Sequence, residues 1–99
     1  MTEFTREVIT IIKNIPKGKV MTYGQIAAWA GNPWGARQIS RILNSLSAPH
    51  QLPWHRVVNA KGGISLSDEG GLEQAQRLID EGVEVNDFTV DLTKYRHEP

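Results

Sequence analysis

Thr22-Tyr23-Gly24-Gln25-Ile26-Ala27-Ala28-Trp29-Ala30-Gly31-Asn32-Pro33-Trp34-Gly35-Ala36-Arg37-Gln38-Ile39-Ser40-Arg41-Ile42-Leu43-Asn44-Ser45-Leu46 reads as two short helices joined by a tight turn. Thr22 and Gln25 have capping-box spacing, in which a threonine hydroxyl and a glutamine amide each satisfy an otherwise unpaired N–H. The first helix runs from there to about Ala30 and stops at Gly31, with Ile26 and either Trp29 or Ala30 facing inward. Gly31 to Gly35 is turn chemistry throughout. The second helix covers roughly Ala36 to Leu46 and buries Ile39, Ile42 or Leu43, and Leu46. Its outer face carries Arg37, Gln38, Ser40, Arg41 and Asn44. A polar, basic second helix behind a tight turn is the helix-turn-helix pattern, of moderate specificity alone.

Working outward, Phe4, Val8, Ile11, Ile12 and Ile15 share one helical stripe, which predicts an amphipathic helix over residues 3–14 starting near Thr2. Pro16-Lys17-Gly18-Lys19 breaks it. Residues 47–56 contain proline and show no periodicity. Val57-Val58 and Ile64-Ser65-Leu66 flank Ala60-Lys61-Gly62-Gly63 and predict a small hairpin, a candidate wing. After the turn Gly70-Gly71, a last helix is expected from about Leu72 to Glu81, burying Leu72, Ala75, Leu78 and Ile79, with Gly82 as its stop. The tail alternates weakly at Val83, Val85, Phe88, Val90 and Leu92. The fold expected is one domain over residues 1–99, mainly α with a small β-hairpin, winged helix-turn-helix-like.

With 99 residues and no cysteine, the chain has room for one core and no means of making a disulfide, a thiolate metal site or a thiol nucleophile. His50, His55 and His97 lack paired ligand spacing, so no metal is expected; the glycine pairs lack a phosphate-cradling pattern, so no cofactor is expected either. Glu3, Arg6 and Glu7 interrupt any apolar run at the start, so no signal peptide is expected, and an intracellular, cytoplasmic protein follows. The zero net charge hides an asymmetry: residues 1–62 hold eight Lys/Arg against two acidic residues, and residues 63–99 hold three against nine. Such halves suggest a basic face for a polyanion and an acidic face turned away from it.

Several spaced motifs occur in one order: Thr22-Tyr23-Gly24-Gln25-Ile26-Ala27, Gly31-Asn32-Pro33 with Ala36-Arg37, Leu52-Pro53-Trp54-His55-Arg56-Val57-Val58, Gly70-Gly71-Leu72 and Glu81-Gly82. Together, over about residues 4–82, they resemble the C-terminal, DNA-binding domain of O6-alkylguanine-DNA alkyltransferases. That resemblance implies a winged helix-turn-helix that binds duplex DNA, flips the damaged guanine into a pocket and transfers its alkyl group to the cysteine of a Pro-Cys-His-Arg motif; a base inside the stack cannot otherwise be reached. It further implies that Tyr23 crowds the target phosphate and contacts the flipped base, and that Arg37 enters the duplex, where its flat guanidinium can stack. Gln38, Ser40 and Arg41 would meet DNA on the same helix. His55 and Glu81 match the general base and the carboxylate that orients it, and Val57 matches a backbone contact to the guanine edge. Arg56 is expected beside them, bonded to loop carbonyls or to Glu81.

Trp54 stands where that family has its nucleophile. A neutral indole is a poor nucleophile, yet it offers a broad π surface for a base and an alkyl group. Trp29 and Trp34 read instead as packing residues in or beside the turn. Other departures are Ser40 and Arg41 in place of two glycines, Leu46-Ser47 where a hinge asparagine is usual, and Ser67-Asp68-Glu69 in the following loop. With the Pro-Trp-His-Arg motif, these are similar to the alkyltransferase-like proteins. The resemblance implies a monomeric, non-enzymatic protein that binds O6-alkylguanine in double-stranded DNA by nucleotide flipping and passes the lesion to nucleotide excision repair proteins. Two other classes stay open: residual transfer to another residue, with His55 the least implausible acceptor, and a winged-helix transcription regulator without lesion specificity.

Overall fold

Thr2 accepts a hydrogen bond from the Thr5 N–H at 3.1 Å and so starts α1, Glu3–Lys13. The computed structural model describes residues 1–64 and 69–99. Val8 and Ile12 lie on the buried face of α1 as the stripe predicts, joined by Ile9, while Ile11 and Phe4 are only partly covered. After Pro16, the short strand β1 (Met21–Thr22) leads directly into α2 (Tyr23–Trp29). The capping box is formed in full: the Gln25 N–H donates to Thr22 Oγ1 at 3.0 Å, and Gln25 Oε1 accepts from the Thr22 N–H.

In α2 the inward residues are Ile26 and Ala27, with Ala30 partly covered beyond the end. Trp29 and Trp34 do not pack as expected: they are 53% and 92% exposed. Trp29 lies on the outer side of α2, whose inner side is filled by Ile26 and Ala27, and Trp34 stands in the turn before α3. Helix α3 is longer than its periodicity suggested, running Ala36–His50 with Pro49 inside its last turn. Gln51 then closes it in the left-handed region (φ 53°), donating to the carbonyls of Ser47 and Ala48. Pro49 forfeits the bond its N–H would make to the carbonyl four residues back, and the helix ends one residue later, so only the last turn bears that loss. Ile39 and Ile42 are buried, and Leu43 and Leu46 pack partly against the same cluster.

Among the described residues, Val57-Val58 pairs outside the expected wing. After a 3-10 turn at Trp54–Arg56, β2 (Val57–Val58) runs parallel to β1, with Met21 opposite Val57 and Thr22 opposite Val58. Asn59 Oδ1 accepts from the N–H groups of Lys61 and Gly63, an Asx-type closure that turns the chain. The chain emerging from that turn meets the tail rather than β2: Ile64 donates to Phe88 O at 2.8 Å, and Val90 donates to Gly62 O at 2.9 Å. Gly62 is required here, because a Cβ would lie 2.1 Å from Val90 O and its φ is +83°. Ser65 and Leu66, part of the expected hairpin, and Ser67 and Asp68 fall outside the described residues.

Helix α4 spans Glu69–Asp80, so Gly70-Gly71 lies within it rather than forming a turn before it. Its buried residues are Gly71, Gln74 and Leu78, whereas Leu72 and Ile79, expected inside, are 60% and 49% exposed. The tail is ordered. Strands β3 (Val85–Asn86) and β4 (Thr89–Val90) pair antiparallel across Asp87 and Phe88, both left-handed, and α5 (Leu92–Tyr95) follows. The chain end then lies along β1, with Val20 donating to Tyr95 O and His97 donating to Val20 O.

Among the described residues the core has two buried clusters. One joins α1, α2 and α3 with Leu52, Met21 and Val57; the other joins Val20, Val58, Ile64, Leu78, Val83 and Val90. The β1–β2 pair contributes to both. The small hairpin of a mainly helical fold is therefore present, but it sits at residues 85–90.

Candidate functional site

Because β1 runs straight into α2 and β2 follows Trp54-His55-Arg56, their parallel pairing sets Tyr23 near the Trp54 turn. Together with one side of α3 they enclose a cleft of about 580 Å³. That volume is within the range of about 300–1,000 Å³ usual for a small-ligand site. Tyr23 comes from α2 and Arg37, Ser40, Leu43, Asn44 and Ser47 from α3; Trp54, Val57 and Gln74 complete the wall. Of the residues expected at the site, Tyr23, Arg37, Ser40, Trp54 and Val57 are thus brought together. Gln38 and Arg41 border a separate depression between α3 and the start of α1, facing Thr2, Glu3 and Glu7.

His55 does not line the cleft. It is buried behind the wall, with its Nε2 2.7 Å from Glu81 Oε2. Arg56 Nε and Nη2 donate to the same carboxylate, and Arg56 Nη1 donates to Ile15 O at 2.8 Å. Arg56 therefore satisfies both a loop carbonyl and Glu81. Gly18 N–H completes the set at 3.2 Å from Glu81 Oε1. Burial by itself raises the pKa of Glu81, but the bonds from Arg56, His55 and Gly18 outweigh it and hold the carboxyl at about 2, down from 4.5. Glu81 is consequently ionised near neutrality, so the proton in its bond to His55 sits on Nε2. The other nitrogen, His55 Nδ1, is buried and has no hydrogen-bond partner among the described residues.

The turn that carries Trp54 is held from two sides. Trp54 meets the His55 ring edge-on (centroids 6.2 Å apart, 86° between planes), and the Arg77 guanidinium lies 5.6 Å from the Trp54 ring centroid. Arg77 is itself oriented by Glu73, one helical turn back, at 2.9 Å. Behind Val57, Gln74 Nε2 donates to the carbonyl oxygens of both His55 and Val57.

Sequence reasoning missed Leu43, Asn44, Ser47, Gln74 and Arg77. Ser40, Leu43, Asn44 and Ser47 follow Arg37 at helical spacing, so extending the α3 face one turn further would have found them. Gln74 and Arg77 have no local signal; they matter only because α4 lies against the Trp54 turn. One basic residue of the N-terminal half, Arg56, is also withdrawn from any polyanion-facing surface by its pairing with Glu81. Among the described residues no group of three or more His, Cys, Asp or Glu is placed to hold a metal ion, and no helix is long and apolar enough to cross a membrane.

Comparison with known proteins places this geometry among DNA-binding relatives. The family described as "6-O-methylguanine DNA methyltransferase, DNA binding domain" matches residues 3–83. A "DNA base-flipping protein" of Vibrio parahaemolyticus is 42% identical over the whole of both chains. "Alkyltransferase-like protein 1" of Schizosaccharomyces pombe is 40% identical, covering all of this chain and 98% of the relative. Among solved structures, S. pombe Atl1 in complex with damaged DNA containing O6-carboxymethylguanine superposes with a TM-score of 0.90 at 39% identity, over all of this chain and 98% of that one.

Proposed function

The chain belongs to the 6-O-methylguanine DNA methyltransferase DNA-binding-domain family, and we propose that it is a non-enzymatic sensor of O6-alkylguanine in duplex DNA. It flips the lesion into the cleft lined by Tyr23, Trp54 and Val57 and passes the marked site to nucleotide excision repair. The observation that carries this reading is the cleft itself: Trp54 forms its wall where transfer chemistry needs a thiol, and α3 borders it with Arg37. Likeness over full length to a base-flipping protein, and to a protein solved on damaged DNA, supports the same reading.

The steps follow from the residues. α3 lies along the duplex with its exposed Arg37, Ser40 and Asn44, and with Gln38 and Arg41 on its flank. Arg37 fills the space the base leaves, stacking its guanidinium while adding positive charge. Tyr23, at the first position of α2, presses on the backbone of the extruded nucleotide. In the cleft, the indole of Trp54 offers its face to the purine and to the apolar alkyl group. His55 and Glu81 do no proton transfer in this scheme; with Arg56 they hold the turn beneath Trp54. The protein acts as a cytoplasmic monomer without cofactor or metal, and the protein–DNA complex is what repair proteins engage.

Equilibrium binding to otherwise identical duplexes, one with O6-methylguanine and one with guanine, tests this. A clear preference for the lesion, weakening as salt rises because phosphate contacts release counterions, is the expected result. Equal affinity for both would make the protein a general duplex binder and overturn the proposal. Mass spectrometry of the protein after incubation with the lesion should show no added methyl group; a stable gain of one would restore a transferase reading.

A further inference from the structure

Helix α4 turns Gly71, Gln74 and Leu78 inward, toward the Trp54 turn and the core, which leaves another of its sides facing out. On that side Leu72, Gln76 and Ile79 recur at the spacing of one helical face, with Ala75 beside them. The β3–β4 hairpin lies next to this face: Val85 and Phe88 join Leu72, Ala75 and Ile79 around a groove of about 280 Å³. Leu72, Ile79 and Phe88 are 60%, 49% and 43% exposed, so the groove is an apolar patch of the surface and no part of the core. No residue lines both this groove and the cleft.

Phe88 is held there against the preference of its own backbone. Asp87 and Phe88 are the two central residues of the hairpin turn, and both are left-handed, at φ 51° and 56°. Such turns favour Asn-Gly, because a Cβ crowds the backbone at positive φ. The turn uses only the Phe88 carbonyl, which accepts from the Ile64 N–H and which any residue would supply. The ring is therefore kept despite the strain, and its half-exposure leaves part of it unused by packing within the chain.

Charge says what the groove would accept. Glu69, Glu73 and Asp80 run along the flank of α4 beside it, Asp87 stands in its wall, and Glu84 precedes the hairpin; all are exposed. Arg77, the only basic residue between Glu69 and Asp91, is already engaged by Glu73 and Trp54. A rim of this sign repels DNA and anionic lipid, and a two-fold pairing of two copies would set acidic rim against acidic rim. The volume falls just below the about 300–1,000 Å³ usual for a small-ligand site and suits a few projecting side chains instead. We propose that this groove docks a basic amphipathic helix of a partner protein, its aliphatic side chains seated between Ile79 and Phe88 and its lysines or arginines over Glu69, Asp80 and Asp87. Gln74, on the opposite side of α4, is the residue that helix gives to the cleft, so an occupied groove leaves the cleft free. The inference stands on this surface alone and does not depend on the lesion-sensor reading.

The test titrates the full chain with a helical leucine–lysine amphipathic peptide and with its leucine–glutamate counterpart, followed by amide NMR. The leucine–lysine peptide should bind at one saturable site, with shifts centred on Leu72, Ile79, Asp87 and Phe88, and should weaken as salt rises. The leucine–glutamate peptide should bind at least about tenfold more weakly. Equal binding of the two, or shifts scattered over the acidic surface without that centre, would overturn the proposal. Phe88→Gly removes the ring and relieves the left-handed backbone, so the thermal midpoint should hold or rise while peptide affinity falls by at least about tenfold. Should that variant not fold, Ile79→Ser, at an exposed helix position, should show the same loss of peptide affinity with binding to duplex DNA unchanged. Unaltered peptide affinity in either folded variant would reject the groove. A wild-type dimer in sedimentation that Ile79→Ser dissociates would give the groove to a second copy of the chain and overturn the proposal as well.

Discussion

The two halves of the core are built by different rules. The first, around α1, α2 and α3, is made of helices that announce themselves by stripes of apolar residues, with side-chain caps at Thr2 for α1 and Thr22 for α2. The second, around Val58, Leu78 and Val90, is assembled from short pieces: one valine of β2, one leucine of α4, and a hairpin of two-residue strands. The cleft lies where these halves meet. Tyr23 and Arg37 stand on the first half, while Gln74, Arg77 and Glu81 reach from the second to hold the Trp54 turn in place. The half that reads as a DNA-binding motif supplies Tyr23 and Arg37 to the cleft; the other half supplies the brace that holds the Trp54 turn.

The sharpest way to break this arrangement is at the ion cluster that ties the halves together. Arg56→Ala leaves Glu81 buried and ionised with only His55 and Gly18 beside it, and frees Ile15 O as well. A loss of about 3–5 kcal/mol in urea unfolding is expected, because removing one partner of a buried pair strands the other. A loss under about 1 kcal/mol would mean that the halves are held by their apolar contacts alone.

Acid should act on the same tie. Glu81 titrates at about 2 in the folded protein and near 4.5 when unpaired. Its contribution is therefore fully present above pH 4.5 and is lost as the pH falls from there through 2. The shift corresponds to about 3 kcal/mol. Unfolding free energies measured between pH 6 and 2 should show this fall in wild type and lack it in Glu81→Gln; parallel curves would remove Glu81 from the account.

Changes on the first half should separate binding from stability. Arg37 is exposed on α3, so Arg37→Ala should leave the unfolding midpoint almost unmoved. Affinity for O6-methylguanine duplex should nevertheless fall by roughly thirtyfold, about 2 kcal/mol, if its guanidinium fills the vacated stack. An unaltered affinity would reject that role. The smallest effect is expected at the cap: Thr22→Ala should cost about 1 kcal/mol of stability, measured by thermal unfolding, because α2 keeps its packing and loses one side-chain acceptor. A loss of several kcal/mol there would show that Thr22 serves the β1–β2 pair more than the helix.

The same contrast explains what could be read in advance. The N-cap at Thr2, the capping box at Thr22 and Gln25, and the burial of Val8, Ile12, Ile26 and Ile39 were legible, since each depends on residues within a turn or two. The periodicity over Ala36 to Leu46 stops one turn short of the end of α3, because residues 47–56 contain proline and carry no apolar repeat, and Ser47 falls in that turn. The stripe of α4 was misassigned because Leu72 and Ile79 are apolar, yet Gln74 takes the inner position through two bonds to main-chain carbonyls. The parallel pairing of Val57-Val58 with Met21-Thr22 lay beyond a local reading, because the partners are 36 residues apart in the chain.

By itself, the sequence determined that a helix-turn-helix is present, that no thiol can act as acceptor, and that Tyr23, Arg37 and Trp54 are the residues to examine. Periodicity, caps and residue chemistry are local properties, written within a few positions of one another. Only the tertiary structure decided that Tyr23 and Val57 line one cleft, that Arg56 pairs with Glu81 25 residues away, and that Gln74 donates to the carbonyls of His55 and Val57 behind the wall. Such pairings are chosen by the packing of the whole chain, because buried polar groups must find partners wherever the fold brings them.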